Sequence, residues 1–133
     1  MRGRSIRPLI AGLALGACAA STLPAGSPPP PKAYVVAEID VKDPEAYREY
    51  VAAAFPVIQK YGGRFLTRGG TTIAVEGRPP AQRVMIIEFA SLEQARTFEY
   101  SKEYTDIAPL RHRSADSRLF IIEGTADPEA SRP

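Results

Sequence analysis

From Ala33 the chain alternates. In AYVVAEIDV (33–41), Val35, Ala37, Ile39 and Val41 share one face and Tyr34, Val36, Glu38 and Asp40 the other. This period of two predicts a strand with one apolar and one mixed face. Asp43-Pro44 then supplies a helix cap and a first-turn proline, with Glu45 near the positive end of the helix dipole. Tyr47, Tyr50, Val51, Ala54, Ile58 and Tyr61 recur at three- and four-residue steps, which predicts one helix with a continuous apolar stripe. Pro56 inside it predicts a kink around residues 52–56, and Gly62-Gly63 a stop.

RFLTRGGTTIAVEG (64–77) has the β-branched residues of a strand, and its Gly69-Gly70 pair predicts a bulge or bend within that strand. RVMIIEF (83–89) reads as a central strand buried on both sides. Ser91 and Gln94 spell a capping box before Leu92, Ala95 and Phe98, the inner face of a second helix. A short helical piece around 105–115 leads to SRLFIIEG (117–124), a last strand, and residues 125–133 read as a disordered tail. The order is β-α-β-β-α-β, an α+β, ferredoxin-like arrangement: a four-stranded antiparallel sheet with both helices on one face. Tyr34 and Val36 make the opposite face too apolar to leave wet. A homodimer that pairs two such faces into a dimeric α/β barrel answers this; the alternative is a monomer with an unusually apolar sheet.

What precedes Ala33 is of another kind. MRGRSIRPLIAGLALGAC carries Arg2, Arg4 and Arg7, then a short apolar run ending in small residues, the form of a secretory signal peptide over residues 1–18. The run is well short of the ~20 residues that span a bilayer. Leu15-Gly16-Ala17-Cys18 resembles a bacterial lipobox, so Cys18 is the expected lipidation site and the lipid the only expected link to a membrane. The alternative is an ordinary cleavage near Ala19, Ala20 or Ala25. Residues 19–32 form a Pro-rich linker and 33–124 the folded domain. The expected location is the periplasm or cell envelope. Four of the 17 basic residues precede the domain and none of the 15 acidic ones does, which leaves 13 basic against 15 acidic. Such a domain has no excess positive charge for nucleic acid. Cys18 is the single cysteine, so the exported domain forms no disulfide of its own.

VKDPEAYREY (41–50), YGGRFLTRGG (61–70), VEG (75–77), RVMIIEF (83–89), SKEY (101–104) and LRHRSADSRLFIIEG (110–124) together resemble the domain-of-unknown-function 1330 family, within the dimeric α/β-barrel superfamily. The resemblance implies the fold and the dimer but no reaction. The superfamily includes antibiotic-biosynthesis monooxygenases, haem-degrading enzymes, muconolactone isomerases and stress-induced dimers. The family's second helix usually carries a Trp-Tyr pair followed by Asn-Ser-Pro-Glu-Tyr. Here Phe98-Glu99-Tyr100-Ser101-Lys102-Glu103-Tyr104 stands there, so Glu99 replaces a ring, and Ala90 stands where a proline is common.

Candidate chemistry is sparse. Counting faces along RFLTR and RVMIIEF puts Arg68 and Glu88 together, with Glu38 of the first strand beside them on the barrel side. Such a group is either a structural ion pair or a polar ligand site. Gly69-Gly70 is no phosphate loop, since no Lys-Ser/Thr follows and no helix begins there. His112, between Arg111 and Arg113, is the lone histidine; it reads as a surface residue, and otherwise as a general base or a haem ligand. No metal set and no cofactor is expected. Glu88, Tyr104 and His112 are therefore the candidate acid–base residues, and Arg68, Glu38 and Arg111 the candidate ligand contacts. Tyr47, Tyr50 and Tyr61 are assigned to packing. Three functions fit: a dimer binding a small molecule in each protomer's cleft between the sheet and the second helix; a cofactor-independent oxygenase or isomerase; and a structural or stress-related envelope dimer without ligand.

Overall fold

The computed structural model describes residues 28–126. The leader, Cys18, most of the linker and the tail beyond 126 lie outside the described residues. Strand β1 (Ala33–Val41) is followed by helix α1 (Pro44–Lys60), strands β2 (Arg64–Arg68) and β3 (Arg83–Phe89), helices α2 (Leu92–Glu99) and α3 (Lys102–Ser114), and strand β4 (Ala115–Glu123). The four strands form one sheet in the order β2-β3-β1-β4, every neighbour antiparallel. This is the ferredoxin-like topology, with three helices rather than two.

Local chemistry sets the ends of the elements. Asp43 Oδ1 accepts from the backbone N–H groups of Glu45 and Ala46 at 3.0 Å each, capping α1. The helix stays continuous through Pro56 to Lys60. Gly62 then takes a φ of +79°, which suits a residue without a side chain. Gln94 ties the two helices together. Its amide donates to the Tyr61 carbonyl at 2.9 Å, and its Oε1 accepts from the Ala90 N–H at 3.0 Å. The extra helix arises at Ser101. Its Oγ donates to the Phe98 carbonyl at 2.7 Å and accepts from the Tyr104 N–H at 3.2 Å, closing α2 and opening α3. The piece expected around 105–115 is thus a full helix that begins at Lys102.

The alternation of β1 appears as read. Ala33, Val35, Ala37 and Ile39 are buried beneath the helices, while Tyr34, Val36, Glu38 and Asp40 look out from the uncovered face. β3 lies between β2 and β1, but only one of its faces is covered, and Ile87 and Phe89 are its buried residues. The bulge is also displaced from the expected place. It falls at Leu66, between Phe65, which pairs with Ile87, and Thr67, which pairs with Ile86. β2 ends at Arg68, before the glycines, and residues 69–82 leave the sheet.

Phe98 joins the layers. It is 1% exposed, with ring centroids 5.3 Å from Phe89 and 4.5 Å from Tyr104. Phe98→Ala is expected to lower unfolding free energy by about 3–5 kcal/mol, measured as a shift of the urea midpoint followed by circular dichroism.

Candidate functional site

Between the covered face of the sheet and the helices lies a narrow cavity of about 30 Å³. Most of its wall is apolar, including Val35, Ala54, Ile58, Met85, Ile87 and Leu119. Four polar side chains reach it: Arg68, Tyr50, Tyr104 and Glu99.

Arg68 is there because of the bulge. The additional residue at Leu66 reverses the alternation of β2, so Arg68 pairs with Met85, on the covered face, rather than standing beside Glu88. Its guanidinium lies 4.8 Å from the ring centres of both Phe55 and Phe65, which stack on each other at 5.8 Å. The grouping of Arg68 with Glu88 and Glu38 is therefore overturned. Glu88 points out of the open face, where it accepts from Arg64 Nη2 at 2.9 Å and from Lys32 Nζ at 3.0 Å. Those two cations, Arg64 first, hold its carboxyl below the usual range. Glu38 is on the same open face, accepting from Arg118 Nε at 2.6 Å. Both carboxylates have ion-pair partners and neither lines the cavity.

Tyr104 does line it, with Tyr50, which belongs to more than the packing assigned to it. Their hydroxyls are 3.0 Å apart and both rings are buried. Burial first, and then their mutual contact, raises the Tyr50 phenol far above its ordinary value. For Tyr104 burial comes first and the charge of Glu99 second. Arg111 backs the pair from α3. It is 7% exposed, with its guanidinium 5.9 Å from the Tyr50 ring centre. One amino group donates to Ser117 Oγ and the other to His112 Nε2 at 3.3 Å, while Nε has no partner. His112 itself is exposed and does not line the cavity. Among the described residues no three His, Cys, Asp or Glu side chains converge as a metal set would.

Glu99 completes the site, and it was absent from the candidates. It ends α2, one residue before the turn that Ser101 caps, and this directs its carboxyl back under the sheet edge beside Leu119. Its Oε1 is buried and has no hydrogen-bond partner. Burial pushes the carboxyl up to about 7, against the pull of Arg111. The one signal for it was the departure at this position, an acid where the resembling family carries a ring.

A family model described as a domain of unknown function (DUF1330) matches residues 32–125. A search of curated proteins found no match. Among solved structures, a protein of unknown function from Rhodopseudomonas palustris superposes with a TM-score of 0.56 at 20% identity, over 71% of this chain and 83% of that one. SnoaB from Streptomyces nogalater, a cofactor-independent oxygenase, gives 0.53 at 11% identity, over 71% and 94%. A hypothetical Arabidopsis thaliana protein gives 0.53 at 16% identity, over 72% and 89%. At these identities the likeness is one of fold.

The Glu99 carboxyl binds its proton more tightly in the folded chain than in the unfolded one, where its ordinary value is 4.5. Its contribution is therefore least unfavourable below that value, and stability falls as pH rises through about 7. Glu99→Gln removes the ionisation. The variant is expected to match the wild type near pH 4.5 and to exceed it at pH 8 by on the order of 3 kcal/mol, read from urea unfolding at the two pH values.

Proposed function

The chain belongs to the DUF1330 family, and from that premise we propose that it acts as a homodimer, joined through the open sheet faces, that binds a small organic molecule in the cleft between sheet and helices of each protomer. The observation that carries this reading is the cavity: apolar walls with a few polar groups converging on them, the usual make-up of a small-molecule site. At about 30 Å³ it takes one or two waters, whereas a benzene-sized guest needs on the order of 150 Å³. The added room comes from the mouth. Met85 and Arg68, both long and unbranched, swing aside as the guest enters.

Two features support the dimer. The open face carries Phe120 at 42% and Ile122 at 53% exposure, beside Tyr34, Val36 and Ile86. In the segment between β2 and β3, Ile73 is 84% and Val75 93% exposed. Alternating β-branched residues without a neighbour suit a strand that is completed by a second copy. The leader over residues 1–18, with Cys18 as lipid attachment point, supports placing this dimer in the cell envelope, tethered by the Pro-rich segment.

A second reading is favoured by Glu99. A carboxyl whose pKa lies at about 7 beside a cavity is matched to proton transfer on a bound molecule.

Sedimentation equilibrium at micromolar protein is expected to give twice the chain mass, and Phe120→Asp with Ile122→Asp to give a monomer. A monomeric wild type would refute the assembly. For the cleft, small apolar rings are expected to raise the melting temperature of the wild type. Ala54→Leu, which fills the cavity wall, is expected to abolish that rise.

A further inference from the structure

Inside an apolar cleft, one unpaired polar atom shows what a guest must carry. Tyr50 and Tyr104 already satisfy each other across 3.0 Å. Arg68 lies at the mouth, against two aromatic rings. Glu99 Oε1 is different: it is buried, it has no hydrogen-bond partner, and its residue lines the cavity. A buried acceptor left unpaired costs roughly 1–3 kcal/mol, so a guest that supplies a donor there gains what the empty site lacks.

From this geometry we propose that Glu99 is the selecting group of the cleft and that the ligand is a small, flat, uncharged ring bearing a hydroxyl, which donates to Glu99 Oε1. The inference rests on the reading of this cavity as a ligand site. The ring follows from the walls, which include the aromatic side chains of Phe98, Tyr104, Tyr50, Phe55 and Phe65. The absence of ligand charge follows from the desolvation that already burdens Glu99, since a second buried charge adds a further penalty. The hydroxyl follows from hydrogen-bond arithmetic. Two tyrosine hydroxyls carry two protons, and their mutual bond uses one. The other is free to donate to the oxygen of a guest whose own proton goes to Glu99. The groups facing Glu99 are Tyr104 and Arg111 of α3 and Tyr50 of α1, and none of them is an anion at neutral pH that would compete for that proton.

The test compares phenol with toluene, two rings of similar size that differ in the donor, by calorimetry or ligand-detected NMR on wild type, Glu99→Gln and Glu99→Leu. In the wild type, phenol is expected to bind more tightly than toluene. The ratio of the two dissociation constants is expected to shift towards toluene by about tenfold in Glu99→Leu. Glu99→Gln, which keeps an acceptor oxygen, retains part of the preference. Toluene binding to Glu99→Leu verifies that the cleft is still formed. If both rings bind the wild type and the ratio is unchanged in Glu99→Leu, the role of Glu99 is overturned while the cleft stands. If neither ring binds the wild type, the cleft reading fails, and this inference with it.

Discussion

The central strand of the sheet has apolar side chains on both faces, and helices on only one. β1 is bonded along both edges, to β3 and to β4, so its face pattern is carried across the whole sheet. Ala33, Val35, Ala37 and Ile39 require cover, and α1, α2 and α3 supply it. Tyr34 and Val36 require cover too, and within one chain they are left half-buried beside exposed Phe120 and Ile122. The molecule therefore divides into a finished side and an unfinished one. The cavity belongs to the first, and the proposed partner belongs to the second.

The charges divide along the same boundary. On the open face two carboxylates meet cations: Glu88 with Arg64 and Lys32, Glu38 with Arg118. The cations are exposed and screened by water, and such pairs contribute little to stability. On the covered side Glu99 and Arg111 are close enough for the arginine to pull on the carboxyl, yet they form no ion pair. That separation leaves an acid and a base of the protein both incompletely bonded in a low-dielectric interior. It is where chemistry or recognition has most to gain.

Much of the fold was legible because it is written in local signals. The alternation of residues 33–41, the Asp43-Pro44 cap and the Gly62-Gly63 stop each act within a few residues, and each appears where expected. The candidate site was less legible, for two physical reasons. Which face Arg68 occupies depends on how β2 pairs with β3, and the bulge at Leu66 is fixed by that pairing rather than by the adjacent glycines. The direction of Glu99 depends on α2 ending at that residue and α3 starting at Lys102, whereas the sequence places its next helical piece only around 105–115. Tyr104, named among the candidate acid–base residues, does line the cavity. Glu99 was noticed only as a departure from a pattern.

The bulge at Leu66 also separates two ways in which sequence encodes a structure. Along most of the sheet, side-chain identity decides what each face presents. On β2 beyond Phe65, the register of its pairing with β3 decides it. Pair the same residues without the bulge and every later side chain of the strand changes sides, so that Arg68 would stand on the open face and Thr67 would turn towards the helices. Relatives that pair this strand without the bulge would carry the same RFLTR letters and present a different site. Position in an alignment is then a poor guide to position in space, and the pairing register of the strand the better one.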